Sequence, residues 1–373
     1  MQWKATDDQS QLADALQRFI QRDYPFEHRQ VLSARSGFSA QAWSLLAQIG
    51  ITALMVPEAH GGVGGSTQDG LHALQTLAPA MVLEPVLASS LLATHMVGMA
   101  AGPVADRWLP RMAEGKAIAT PAHFEADTGF ATELPHTKAE RTGLGYALSG
   151  AKSLVLQAPF ADVLLVSART DDEAVAWFAV ERDRPGVSLR DYALLDGQRA
   201  ADVRFDAVAL TPEARLGHVG QGAAMRDGLR DLWLAALCAE AVGLLQATLD
   251  ATVAYLNTRQ QFGQPIGRFQ GLQHRAVDMW MEVEQARSMA LLAGDFGSHA
   301  DVGHRAEVLA ASKARVGQAC RVVSQQAVQL HGGMGMTDEM QVSHWFKRLT
   351  TIELWLGDSD AQLQRFARGV RAA

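Results

Sequence analysis

Three segments in the last third of the sequence combine residue types that could do chemistry. The first runs Tyr255-Leu256-Asn257-Thr258-Arg259-Gln260-Gln261-Phe262-Gly263-Gln264-Pro265-Ile266-Gly267-Arg268-Phe269-Gln270. It closes one helix with an arginine, an aromatic residue and a Gly-Gln-Pro turn, then opens another helix. The second, Gln329-Leu330-His331-Gly332-Gly333-Met334-Gly335-Met336-Thr337, sets a glycine run just past a helix C-terminus. Arg259 offers a planar cation suited to a pyrophosphate, and Gly332-Gly333 lets backbone N–H groups come close to it. Together the two segments read as an anion and adenine site. The third, Leu354-Trp355-Leu356-Gly357-Asp358-Ser359-Asp360-Ala361-Gln362, is a turn opening the last helix. Each has a plainer explanation alone: a helix C-cap for the glycines, a surface ion pair for Arg259. The combination is what points to a ligand. His299, His304 and His331 have no Cys or acidic partner at ligand spacing, so no metal site is expected. Asp338-Glu339 reads as a solvated pair opening the next turn or helix.

The elements that must position these segments follow from two changes of hydrophobic period. The N-terminal part is helical. Asp7 or Asp8 can cap a helix burying Leu12, Leu16, Phe19 and Ile20, and further helices are expected over Gln41–Ile49, Thr67–Leu77 and Pro85–Ala101. The glycine-dense stretch Pro57–Gly65 has no preceding strand and no GK[ST], so it reads as a turn rather than a phosphate loop. Near Lys116 the period becomes two, and strands are expected over Tyr146–Leu156, Val163–Ala168, Val175–Val180 and Asp202–Val208. From Gly222 the helical period returns. Leu272, Ala276, Met279, Val283, Ala286 and Ala290 form one apolar stripe; Leu309, Val316, Cys320, Val323 and Ala327 form another. Both look too broad for one intrachain neighbour, which predicts an oligomer. The expected class is α+β in three domains: a helical domain over 1–117, a β barrel or sandwich over 118–222, and a helical bundle of four-helix type over 223–373.

Composition narrows the function classes. The 373 residues are 48% hydrophobic and 20% charged, enough for a substantial core. A net charge of -7 with no long basic run argues against a nucleic-acid binder. Cys238 and Cys320 are too few for a disulfide framework, which suits a reducing cytosol. The first residues lack the pattern of a signal peptide, and Met81–Ala101 carries Glu84, Pro85 and His95, so neither reads as a membrane element. A cytoplasmic location is the expectation.

In this order and spacing, Arg259-x-x-Phe262-Gly263, Gln329-Leu330-His331-Gly332-Gly333 and the Leu354–Gln362 turn resemble the acyl-CoA dehydrogenase family over essentially the whole chain. The resemblance implies an FAD cofactor, an acyl-CoA substrate and electron-transfer flavoprotein or a similar acceptor. It assigns Arg259, Phe262, Gln270, Gln329, Gly332 and Gly333 to the ADP half of an FAD belonging to a neighbouring subunit. The reaction it implies removes the proton alpha to the thioester, which needs a carboxylate, while the beta hydride goes to the flavin. The family's two places for that carboxylate hold Leu356 and Trp233 here. Asp231 lies two residues from one and Glu353 three from the other, offsets that turn a side chain to another face. The flavin half departs as well. Thr120–Gly129 matches the family's Thr-Glu-Pro and Gly-Ser-Asp stretch poorly, Leu156 stands where a hydroxyl is common, and Asp358 follows Gly357 where Thr is usual.

An intact trans half beside a degraded cis half and no base resembles the subunits of heteromeric members in which a homologous partner carries the catalytic Glu. The small subunit of pimeloyl-CoA dehydrogenase and the paired steroid-CoA dehydrogenase subunits are of this kind. The reading implied is an α2β2 heterotetramer in fatty acid or steroid catabolism. Two alternatives stay open: a homo-oligomeric flavoenzyme, with Asp231 as base or desulfinase-like chemistry, and a catalytically dead scaffold.

Overall fold

A computed structural model describes residues 5–131, 133–172, 174–297 and 299–372. They divide into two compact units. One comprises Gln21–Gly70 and Val82–Leu232; the other comprises residues up to Ile20, Leu71–Met81 and Trp233 onward. The helices are α1 (Asp7–Asp23), α2 (Phe26–Ala34), α3 (Ala40–Ile49), α4 (Thr67–Leu77), α5 (Thr94–Ala100), α6 (Gly102–Ala113), α7 (Gly222–Thr258), α8 (Gln270–Phe296), α9 (Val302–His331), α10 (Gln341–Leu354) and α11 (Ser359–Ala372). The strands are β1 (Ala119–Ala122), β2 (Lys138–Thr142), β3 (Gly145–Leu156), β4 (Val163–Ala168), β5 (Ala176–Glu181), β6 (Val187–Ala193), β7 (Arg199–Leu210), β8 (Arg215–Leu216), β9 (Gln260–Gln261) and β10 (Gln264–Pro265).

The first unit is built on two four-stranded sheets, ordered β1-β4-β5-β8 and β2-β3-β7-β6. Only the β1–β4 pairing in them is parallel. β4 is buried at every position, as its unbroken Val-Leu-Leu-Val start requires. A buried polar cluster joins the sheets. The Lys152 Nζ on β3 donates to Ser167 Oγ on β4 at 2.9 Å and to Glu125 Oε1 at 2.8 Å. Glu125 also receives Thr137 Oγ1 at 2.7 Å and the His136 N–H at 2.7 Å. Burial opposes its charge, but Lys152 and these donors outweigh it and hold the carboxyl down at about 2; burial lowers Lys152 to about 8.

Several local expectations are corrected. Thr6, not Asp7 or Asp8, caps α1: its Oγ1 accepts the Gln9 N–H at 3.2 Å, and Gln9 Oε1 accepts the Thr6 N–H at 3.0 Å, a reciprocal capping box. The Pro85–Ala101 helix divides into a fully buried π-helical stretch, Val86–Ala93, followed by α5. The Pro57–Gly65 stretch is a turn around a 3₁₀ segment, and Gly62 is required there because a Cβ would collide with the Val56 carbonyl.

The second unit is helical. α8, α10 and α11 all pack on α9. α7 joins them through a buried bidentate pair, Arg348 Nε and Nη2 to Glu240 at 2.7 and 2.6 Å. This packing overturns part of the oligomer argument. Leu309, Val316, Cys320, Val323 and Ala327 are all fully buried within the chain, because α9 has helices on several sides. Exposed apolar residues include Val277, Trp280 and Met281 on α8 and, off that stripe, Val302 and Val322 on α9. α7 is long and apolar enough to cross a membrane, but 89% of its apolar window is buried inside the protein, the condition of a core helix. Cys238 and Cys320 are free and buried, and burial pushes both thiols up to about 12.

Candidate functional site

The Arg259 segment is a helix end followed by a tight hairpin. The Arg259 N–H makes the last helical bond of α7, to Tyr255 O at 2.8 Å, and Ile266 N–H returns to Arg259 O at 2.9 Å across β9 and β10. The hairpin turns at Phe262 and Gly263, both at positive φ, 54° and 77°. Phe262 is 89% exposed and meets Phe269 edge-on at 5.9 Å. Among the described residues no carboxylate or carbonyl engages the Arg259 guanidinium, so the surface-ion-pair explanation fails. Gln270 is exposed at the first position of α8.

α9 brings the second segment to the same place. Tyr255 on α7 stacks on His331 at 4.4 Å and 26°, and its hydroxyl lies 3.4 Å from His331 O. His331 is buried, its Nδ1 bonded to Ala327 O at 2.8 Å, and burial lowers its pKa. Gln329 is exposed in the last turn of α9, with its carbonyl accepting the Gly332 N–H. Gly332 has φ 61°, and a Cβ at Gly332 or Gly333 would meet nothing within 4 Å. Gly335 differs: a Cβ there would lie 2.9 Å from Val328 O and 3.0 Å from His331 Cβ. Packing explains Gly335, and a positive φ with ψ -141°, a region open essentially to glycine alone, explains Gly332; neither explains Gly333. The six residues expected to bind a cofactor are thus brought to the adjoining ends of α7 and α9 and the start of α8.

The third segment is the opposite of open. Trp355 packs on Trp233, tilted by 35° with ring centroids 5.2 Å apart, and both are buried. Leu356 adopts φ 59°, unusual for a γ-branched residue, and its carbonyl accepts Gln362 Nε2 at 2.6 Å. Lys313 Nζ, fully buried, donates to Glu353 O at 2.9 Å and Gly357 O at 3.3 Å, closing the turn from inside. Glu353 is spent on Arg321 at 2.6 Å and on Ser359 Oγ at 3.2 Å. Asp358 Oδ1 accepts the Ala361 N–H at 2.8 Å, so this carboxylate caps α11. Asp231 is buried and paired with Arg230 at 3.3 Å. In the β unit Leu156 is buried without any hydroxyl to offer, its carbonyl taken by Thr120 Oγ1 at 2.7 Å.

The expectation of no metal centre concerned His299, His304 and His331. His299 and His304 pack with Phe296 in an aromatic cluster, at 5.2 and 5.1 Å. Asp338 is tied to Lys347 at 2.9 Å on the surface.

Sequence models of the acyl-CoA dehydrogenase N-terminal, middle and C-terminal domains match residues 6–116, 122–208 and 235–371. The chain belongs to the acyl-CoA dehydrogenase family. A probable acyl-CoA dehydrogenase of Bacillus subtilis, YngJ, is 27% identical, with 99% of each chain covered. The L-prolyl-[peptidyl-carrier protein] dehydrogenase of a Serratia strain is 30% identical over 70% of this chain and 69% of its own. Among solved structures, a chain of the ChsE4–ChsE5 complex of Mycobacterium tuberculosis superposes with a TM-score of 0.90 at 25% identity, covering 100% of both chains. The three-domain acyl-CoA dehydrogenase fold, helical, β, helical, is therefore the fold of this chain.

FAD is the cofactor. The unengaged Arg259 and the open Gly332–Gly333 turn fit its diphosphate. The segments expected to meet the flavin ring in cis fit less well, since Leu156 has no hydroxyl and the Leu356 turn no free carboxylate. Sequence reasoning missed what supports the fitting half, the Tyr255–His331 stack. Both residues lie inside the chemistry-bearing segments, one helical turn before Arg259 and directly before Gly332. It also missed the Lys152–Glu125 pair, although a lone lysine within an apolar strand requires a buried acceptor.

Proposed function

We propose that this chain is the non-base subunit of a heteromeric, FAD-dependent acyl-CoA dehydrogenase acting on a bulky CoA thioester such as a steroid or dicarboxylic acyl group. In this reading Arg259, Phe262, Gln270, Gln329, Gly332 and Gly333 hold the ADP half of an FAD whose flavin ring lies on a homologous partner subunit. Arg259 would neutralise its diphosphate, the Gly332–Gly333 turn would let backbone come close, and Phe262 would offer an apolar face. When bound, FAD would supply an acceptor for the beta hydride of the thioester. The partner's Glu takes the alpha proton, a task Leu356 and Trp233 cannot perform. The assembly is an α2β2 tetramer in the cytoplasm, and electron-transfer flavoprotein or a similar acceptor reoxidises it.

One observation carries the proposal: the open Arg259 and Gly332–Gly333 surface, in the same chain as a base position closed by packed indoles. The similarity to one chain of a two-component complex supports the heteromeric form. Asp231, already paired and buried, gives no support to a self-sufficient base. Expression alone should yield a poorly flavinated protein that does not oxidise acyl-CoA esters. Co-expression with a homologue carrying Glu at either base position should yield a complex with fewer flavins than chains. Dehydrogenation with an artificial electron acceptor, across a panel of acyl- and steroid-CoA esters, decides it. A yellow, active, single-chain preparation would replace this reading with a homomeric enzyme.

A further inference from the structure

We infer that Tyr255 and His331 are a positioning pair that locks the two halves of the nucleotide surface, the arginine and the glycine turn, into one geometry. The inference rests on the proposed FAD reading of that surface. Neither side chain needs to touch the cofactor. Tyr255 lies one turn before Arg259 on α7, and its own carbonyl holds the Arg259 N–H at 2.8 Å. His331 is the last residue of α9 and directly precedes Gly332. Their rings stack at 4.4 Å and 26°, so one contact fixes the ends of both helices.

The rest of the geometry agrees. Nδ1 is pinned to Ala327 O at 2.8 Å, which sets the imidazole plane against the α9 backbone. The remaining nitrogen, Nε2, is buried with no hydrogen-bond partner among the described residues, so beyond the Nδ1–H given to Ala327 the ring acts here through its face. A Cβ at Gly335 would lie 2.9 Å from Val328 O and 3.0 Å from the His331 Cβ, so glycine lets the chain fold closely back onto the end of α9. The turn is thus packed against the His331 Cβ on one side and open at Gly333 on the other. A ligand that meets both Arg259 and the open Gly333 face of the turn needs both sides held at a fixed separation before it binds. Preorganisation of that kind lowers the ordering cost of binding.

The test measures FAD affinity of the flavin-bearing assembly by fluorescence titration after flavin removal, with thermal unfolding of the flavin-free protein recorded in parallel. His331→Phe keeps the stack and loses only the Ala327 contact; FAD dissociation constants should stay within about two-fold of the unmodified protein. His331→Ala removes the stack, and affinity should fall about three- to ten-fold, the range of an aromatic pair. Should His331→Ala fail to fold, Tyr255→Leu tests the same contact from α7. The signature is coupling: Arg259→Ala should cost less affinity in a His331→Ala or Tyr255→Leu background than in the intact protein. A merely structural role would lower the unfolding temperature and leave the Arg259 effect unchanged, and that result overturns the inference. Equal losses in His331→Phe and His331→Ala overturn it too. If Arg259→Ala alone leaves FAD affinity unchanged, the FAD reading of this surface is what fails.

Discussion

The end of α9 and the turn between α10 and α11 lie in one helical unit and are built to opposite rules. At the end of α9 the backbone is glycine, the neighbouring cation is unengaged, and a Cβ added at Gly333 would meet empty space. At the α10–α11 turn most of the polar groups are spent, Gln362 Oε1 being a buried exception. Lys313 holds two carbonyls, Glu353 serves Arg321 and Ser359, Asp358 caps α11, and Trp233 fills the remaining volume against Trp355. A surface that must receive a ligand keeps unsatisfied donors and open volume, while a turn that only has to hold its shape does not. In this family the second place is where a base is usually found. Here it is built as structure.

The largest effect expected from this contrast is on turnover. In a complex with the homologous partner, changing the partner's Glu to Gln should lower turnover at least about a hundredfold, the minimum contribution of a general base. Asp231→Asn in this chain should change it less than about two-fold, since a paired carboxylate off the base position takes no part in proton transfer. Comparable losses in both variants would mean that Asp231 takes part in proton transfer and that this chain keeps a base of its own. The contrast would then be broken.

A smaller effect separates the two regions by stability. Lys313→Met leaves the carbonyls of Glu353 and Gly357 without their buried donor, and each orphaned acceptor costs about 1–3 kcal/mol. Chemical denaturation should show a loss of that order. Arg259→Ala should instead leave stability within about 0.5 kcal/mol, as a surface substitution away from packing does. It should weaken FAD by about 1.5–3 kcal/mol, the worth of a charge-assisted contact. If Arg259→Ala unfolds the protein, or flavin survives dialysis unchanged, the open surface has been misread.

These regions also differ in how much of each is legible in the amino-acid sequence. Arg259, Phe262, Gly332 and Gly333 announce themselves because turn chemistry is local: a glycine or an aromatic at a helix end has few other reasons to be there. The three-domain order follows from hydrophobic period for the same reason. What stays hidden depends on partners distant in sequence. Nothing in the neighbourhood of Trp233 indicates that Trp355 covers it. Lys152 is legible as a misfit in an apolar strand, but Glu125 and Ser167 are not legible as the answer. The α9 stripe reads as exposed because periodicity shows how wide an apolar face is, not how many helices surround it. The Thr6–Gln9 box is within reach of local reasoning; the acidic residues that follow Thr6 draw the cap one position too far.

The two glycines of the α9 turn sharpen the contrast at single-methyl resolution. Gly333→Ala should leave thermal stability nearly unchanged and weaken FAD, because the added Cβ meets only the space that backbone approach would use. Gly335→Ala should do the reverse in order of severity. Its Cβ must displace Val328 O or the His331 side chain, so the unfolding temperature should fall first, by roughly the few degrees that about 1 kcal/mol represents.

The smallest effect expected is a pH dependence on the open side. His331 has its pKa lowered by burial, so the folded chain favours neutral imidazole more than the unfolded chain does. Above the ordinary value of 6.5 both states are neutral and His331 contributes no pH dependence. As pH falls below it the unfolded chain takes up the proton first, and stability is withdrawn. The imidazole packs on the Tyr255 ring and bonds the Ala327 carbonyl, and among the described residues no acid forms an ion pair with it. Denaturation at pH 7.5 and pH 5.5 should therefore show a larger loss in the unmodified protein than in His331→Phe. Identical slopes in both would remove His331 from the titration and leave its stacking as its whole role.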